Sequence, residues 1–152
     1  ILGVRSAAAL ADFLGFYFNL IFDNIVLVHT TSASEIFEQL LRVGPEDVVI
    51  GISFPRYSSR TVKAMRFAKD RGASVVAITD NELSPVYQMA DDALLAPSEM
   101  ISFVDSMVAP LSLINALLIA VGRRMGTDVA RTFADLEDIW NRYGVFGKMD
   151  DE

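Results

Sequence analysis

No cysteine occurs in the 152 residues, and histidine occurs once, at position 29. The first absence excludes a disulfide framework, a thiol nucleophile and any cysteine-based zinc or iron–sulfur site. The second argues against a Ser-His-Asp triad or a multi-histidine metal site, because His29 would have to serve alone. No metal or cofactor is therefore expected. Positive charge is scarce as well. Thirteen Lys and Arg against twenty Asp and Glu leave a net charge of −7, whereas gripping a nucleic-acid backbone needs clustered cations. Long hydrophobic runs are also missing. Phe13–Phe22 is flanked by Asp12 and Asp23, and Met107–Val121 carries Pro110, Ser112 and Asn115 before Arg123-Arg124. A bilayer span takes about 20 mostly apolar residues, so both are read as buried helices and no membrane partner is expected.

What remains is 52% hydrophobic and 22% charged, a globular composition at the size of one domain with a sizeable core. The apolar share is high for a monomer and points to a buried subunit interface. The chain opens Ile1-Leu2-Gly3 without methionine. It is read as a fragment of a longer protein, so the want of a targeting signal carries no weight.

Short β-rich runs alternate with helical ones. Ile1-Leu2 reads as the remnant of a first strand, followed by Ile25–His29, Val48–Ile52, Ser74–Thr79 and a weaker Asp92–Leu95. Strands apolar on both faces and separated by helices predict a parallel sheet covered on both sides. Helices are predicted over Arg5–Leu20, Ser34–Val43, Ser59–Arg71, Ser84–Ala90, Ile101–Met125 and Asp128–Tyr143, with Lys148–Glu152 a frayed acidic tail. The fold class is α/β: a doubly wound, three-layer sandwich around a five-stranded parallel sheet, with one domain over 1–147. Aromatic Phe13, Phe16, Tyr17, Phe18 and Phe22 surround most of the first helix. That helix and the long late one are expected to bury against a second subunit.

In such a sheet ligands sit beyond the carboxyl ends of the strands, where strand order reverses. The richest loop there is Ser53-Phe54-Pro55-Arg56-Tyr57-Ser58-Ser59-Arg60-Thr61, which opens a helix. Unpaired helix N–H groups, hydroxyls and Arg56 suit phosphate or carboxylate. Ser58 or Ser59 acting as a simple helix cap is the alternative use of the same residues. Gly3-Val4-Arg5-Ser6 repeats the pattern more weakly. Neither a dinucleotide GxGxxG nor a Walker loop occurs, which argues against nucleotide hydrolysis. His29 ends a strand, with either a backbone partner or a ligand role. Glu99 follows the last strand, as a general base or hydroxyl acceptor or as an acidic residue in a helical first turn.

The segment VVIGISFPRYSSRTVKAMRFAKDRGASVVAITDNELSPVYQMADDALLAP resembles the sugar isomerase (SIS) domain. SFPRYS together with SFVDSMVAPLSLINALLIAV resembles the effector-binding SIS domain of RpiR/MurR-type transcription regulators. The resemblance implies a flavodoxin-like fold and an S-x-S-G-x-T loop that holds the phosphate of a phosphosugar. Ser53 and Ser58 then stand at the first Ser and the Thr, and Ser6 at a first-loop hydroxyl. Pro55 and Arg56 replace the second Ser and the Gly, and Arg56 or Tyr57 is expected to compensate. Ser6, Ser53, Arg56, Tyr57, Ser58, Thr61 and Glu99 are thus the expected ligand-binding residues. The implied function is a non-enzymatic, cytoplasmic sensor of a sugar phosphate that self-associates as a dimer or tetramer. DNA would be touched only through an upstream helix-turn-helix domain outside this chain. A phosphosugar isomerase using Glu99 or His29 as base, and an oligomerisation module with a vestigial site, are the alternatives.

Overall fold

β-branched and apolar residues with no helical periodicity dominate Val48–Ile52 and Ser74–Thr79, and in the computed structural model these become neighbouring strands. The structure describes residues 1–29, 32, 34–101 and 103–146. In chain order the elements are β1 (Leu2–Gly3), α1 (Ser6–Asn19), α2 (Glu35–Gln39), β2 (Val48–Ile52), α3 (Ser59–Asp70), β3 (Ser74–Thr79) and β4 (Asp92–Leu95). A small hairpin of β5 (Met100–Ile101) and β6 (Val104–Asp105) follows, then the helices α4 (Val108–Met125) and α5 (Thr127–Tyr143). The sheet is parallel throughout, in the order β1-β2-β3-β4.

Two apolar layers cover it. On one face Ile36, Leu40, Ala64, Met65 and Ala68 pack against Val49, Val75 and Ala77. On the other, Leu10, Leu14, Phe18 and Ile114 pack against Ile52 and Ile78. Helices on both faces of a buried parallel sheet make the three-layer α/β sandwich expected from the sequence. The α4 helix has the length and hydropathy of a membrane span, and contrary to the expected buried helix only Pro110 and Ile114 of it are buried in the single chain. Ile114 joins the apolar layer that α1 forms on the sheet.

Four predicted elements differ. Ile25–His29 is not a strand of the ladder. It makes one parallel bridge, Val28 to Leu2, with Val28 N–H donating to the Ile1 carbonyl at 2.9 Å. Its neighbour β1 has only two residues, so a longer ladder has nothing to pair with. Among the described residues four strands form the hydrogen-bonded ladder, and this segment lies outside β1 as the fifth, joined by that single bridge. Ser84–Ala90 reduces to a 3₁₀ turn at Tyr87–Met89. Ser34–Val43 reduces to α2, which ends well short of Gly44-Pro45. The long helix begins at Val108, not Ile101. Pro110 has no N–H and tolerates only a first turn, and the Ser106 carbonyl is instead taken by the Ser98 hydroxyl at 3.0 Å. The tail 148–152 lies outside the described residues.

Asp91, just before β4, ties α3 and β3 to the segment that leads into that strand. Its Oδ1 accepts from Lys69 Nζ of α3 at 2.8 Å and its Oδ2 from the Val75 N–H of β3 at 2.8 Å. The same ammonium also reaches the Met89 carbonyl at 2.7 Å. The Lys69 hydrogen bond, then the Val75 amide, hold the Asp91 carboxyl below the usual carboxylate range. A carboxyl with a depressed native pKa stabilises the fold above its unfolded pKa and loses that contribution as pH falls through the native value. Asp91→Asn is therefore expected to lower the melting temperature near neutral pH. The gap to the parent should close on acidification below about pH 4. Thermal melts across that range check it; a gap independent of pH would contradict it.

Candidate functional site

Strand order reverses between β1 and β2: the chain leaves β1 toward the Ile25–His29 side and returns on the other to form β2. The loops leaving these two strands, each opening a helix, meet at that point. They enclose a depression of about 40 Å³ lined by Ser6, Ser53, Ser58, Arg5 and Arg56 among others, with Asp105 from the β5–β6 hairpin. This is where the strand-end rule for open α/β sheets places a ligand.

Ser53 is buried at the end of β2, and its Oγ accepts the Ser58 N–H at 3.3 Å, which clasps the loop upon itself. Ser58 has the extended backbone of an N-cap, φ −70° and ψ 119°, but its side chain makes no capping hydrogen bond to α3. The capping alternative is thus not taken by Ser58, which is one of the residues lining the depression. Only two non-glycine residues among those described have positive φ: Arg5 at 61° and Arg56 at 59°. Both border the depression. Arg5, with ψ −126°, lies outside the usual left-handed well. Such conformations cost on the order of 1–3 kcal/mol and gather at functional sites. Arg56 stands where the resembled loop pattern has glycine, and it keeps a backbone that glycine favours.

The remaining expected residues fall elsewhere. Tyr57 turns toward the next loop: its hydroxyl donates to Asp80 Oδ1 at 2.9 Å and accepts from Asn81 Nδ2 at 3.2 Å. Burial first, then the Asp80 hydrogen bond, push its pKa above the ordinary phenol value, so it remains a neutral strut between the loops. Thr61 is fully buried in the first turn of α3, with its Oγ1 unpartnered, and does not line the depression. Glu99 is exposed and absent from the lining. His29 sits 3.6 Å from Asp12 with both side chains more than half exposed, also off the site. Thr30 and Thr31 of its loop lie outside the described residues.

Asp105 is the residue that sequence reasoning missed. Its Oδ2 accepts the Ser6 hydroxyl at 2.8 Å, across 99 positions of chain. The signal was Pro110, which bars the helix from starting early enough to absorb residue 105.

A larger groove of about 530 Å³ lies at the opposite, amino ends of the strands, between Ile25–Val28 and Val48–Ile50. Its walls are mainly aliphatic, and Arg42, Glu46 and Asp47 at its edge mix both signs. Among the described residues its lining holds no hydroxyl side chain and a single arginine beside two carboxylates, so size alone does not make it the site. Among the described residues no cluster of three or more His, Asp or Glu is placed to hold a metal ion.

The family model for the SIS domain matches residues 1–120. Among curated proteins, the chain is 31% identical over 97 residues to an uncharacterized HTH-type transcriptional regulator of Caldanaerobacter subterraneus. That alignment covers 61% of this chain and 34% of the relative. A second HTH-type regulator, from Haemophilus influenzae, is 43% identical over 49 residues, 32% of this chain and 17% of that protein. The aligned region is thus 34% and 17% of these relatives' length. Among solved structures, the sugar isomerase domain of an RpiR transcription factor from Sphaerobacter thermophilus superposes with a TM-score of 0.79 at 27% identity. It covers 86% of this chain and 73% of that one. The Vibrio vulnificus NanR protein complexed with ManNAc-6P gives 0.77 at 14% identity, over 96% of this chain and 55% of that one, a likeness of fold.

Proposed function

The chain belongs to the SIS domain family, and on that premise we propose that it is the effector-binding domain of a transcription regulator, holding a sugar phosphate at the β1–β2 switch point. The observation that carries this is the convergence of Ser53, Ser58, Arg5 and Arg56 on one small depression at the strand ends. Ser58's hydroxyl is unspent on capping and both arginines have left-handed φ. Backbone N–H groups of the α3 first turn add donors and a partial positive charge. Arg56 supplies a planar fork suited to phosphate oxygens. The ManNAc-6P named for the Vibrio fold neighbour is a ligand of the same chemical class.

A sensor fits better than an isomerase. Glu99 and His29 are both outside the lining, and Asp105, the one carboxylate among the described lining residues, already accepts the Ser6 hydroxyl. Proton transfer on a sugar carbon needs a base free to take that proton within hydrogen-bond reach. Apolar surface on α4 and α5 supports self-association: Val108 is 76% exposed, Ile119 58% and Tyr143 75%. A ligand that binds one subunit arrangement better than another shifts the population toward it, which would reposition DNA-binding domains attached outside this chain.

Calorimetric titration with hexose 6-phosphates and N-acetylhexosamine 6-phosphates, each beside its unphosphorylated parent, tests the proposal. At least one phosphorylated sugar should bind about 100-fold more tightly than its parent, the worth of one or two charge-assisted hydrogen bonds. Equal affinity for the pair would overturn the phosphate site. Solvent deuterium uptake into the bound sugar would overturn the sensor in favour of the isomerase.

A further inference from the structure

We propose that Asp105 sets sugar specificity at this site, accepting hydrogen bonds from hydroxyl groups of the sugar that lies beside the phosphate. The inference rests on the phosphate site proposed above and assigns its neighbouring half. Among the described residues, Asp105 is the only carboxylate in the lining of the depression. No ion pair joins it to Arg5 or Arg56, although both border the same space. The Ser6 hydroxyl at 2.8 Å occupies one acceptor position of Oδ2. An ionised carboxylate has about four such positions and no donor, so Asp105 retains capacity for further donors.

A phosphate cannot be what it receives, since two anions in contact repel. The non-phosphate part of a phosphosugar is a run of hydroxyl donors, which suits an acceptor-only group. Ser6 acquires a different role from the one its sequence position implies: it donates to Asp105 and so orients the carboxylate, acting as a positioning residue. The carboxylate is presented by braced backbone. Asp105 pairs with Met100 across the hairpin, Ser106 N–H donates to the Glu99 carbonyl at 3.2 Å, and the buried Ser98 hydroxyl donates to the Ser106 carbonyl at 3.0 Å. The same hairpin leads directly into α4, so contact with the sugar is made one turn away from apolar surface proposed to meet a second subunit.

The test pairs Asp105→Asn with Ser6→Ala. Each is titrated with inorganic phosphate and with the full hexose and N-acetylhexosamine 6-phosphate panel. Asp105→Asn is expected to bind the preferred sugar phosphate about 10-fold or more weakly, as when a hydroxyl-binding group is lost. It should bind inorganic phosphate as well as the parent does, or severalfold more tightly. Ser6→Ala should shift sugar-phosphate affinity in the same direction by about threefold. Sugar-phosphate affinity unchanged in Asp105→Asn would overturn the assignment. So would an equal loss for both probes, the mark of a merely structural role. A parent protein that binds neither probe would instead overturn the phosphate site itself, and this inference with it.

Discussion

Gly3→Ala is expected to lower the melting temperature by about 6–12 °C and to abolish ligand binding under conditions where the parent binds. A Cβ built on Gly3 lies well inside van der Waals contact of the Ala7 carbonyl oxygen, 2.8 Å from the Ala7 carbonyl carbon and 3.2 Å from the Ala11 Cβ. What it meets is the backbone of the first turn of α1, which cannot rotate away. Gly51 is crowded too, but by the Met65 side chain, whose flexible thioether repacks more easily. Overpacking a tight core costs about 1–3 kcal/mol, and the backbone contact puts Gly3 at the upper end. For a chain of this size each kcal/mol moves the midpoint by about 2–4 °C. The same displacement carries Ser6 and Arg5 away from the β2 loop, so stability and binding fail together. A melting temperature within about 2 °C of the parent would contradict the close β1–α1 packing.

Substitution at Arg56 separates the two properties. Its φ of 59° costs an ordinary residue roughly 1–2 kcal/mol, and glycine would carry no such cost. Against that stands the greater freedom of glycine in the unfolded chain, about 0.4–1 kcal/mol. Arg56→Gly is therefore expected to leave stability unchanged or raise it by up to about 1.6 kcal/mol. Loss of the guanidinium should weaken sugar-phosphate binding about 10- to 100-fold, the worth of a charge-assisted pair. Arg56→Ala should lose the same affinity while keeping the backbone cost. Melting temperatures and calorimetry on both variants measure this. Full-strength binding by Arg56→Gly would show that the arginine serves the loop and not the ligand.

Much of this architecture is legible in the residues, because parallel strands buried on two faces cannot avoid continuous β-branched runs. Val48–Ile52, Ser74–Thr79 and Asp92–Leu95 sit where that pattern puts them. The helix starts after Gly3 and Ser58 follow from small and hydroxyl residues at strand ends. Ile25–His29 carries the same composition but not the same structure, since pairing depends on a neighbour: opposite it stand only two strand residues, and Val26 is 60% exposed. Composition is local and pairing is not. The loop chemistry divides the same way. Ser53, Arg56 and Ser58 are adjacent in sequence and were readable as one cluster. The contact of Ser6 with Asp105 spans 99 positions and depends on a two-residue hairpin that no periodicity announces. The rotation of Tyr57 onto Asp80 and Asn81 likewise rests on how two loops meet. Whether Ser58 caps or stays free was open in the sequence, because both uses want the same residue in the same place.

The most direct test of the central claim is amide chemical-shift mapping of the isotope-labelled chain during titration with the preferred sugar phosphate. The shifts are expected to concentrate on the two loops at the strand carboxyl ends, Gly3–Ala7 and Ser53–Thr61, with Asp105 and Ser106 beside them. Shifts confined to Phe22–Val28 and Leu40–Ile50, around the larger groove at the amino ends, would contradict it.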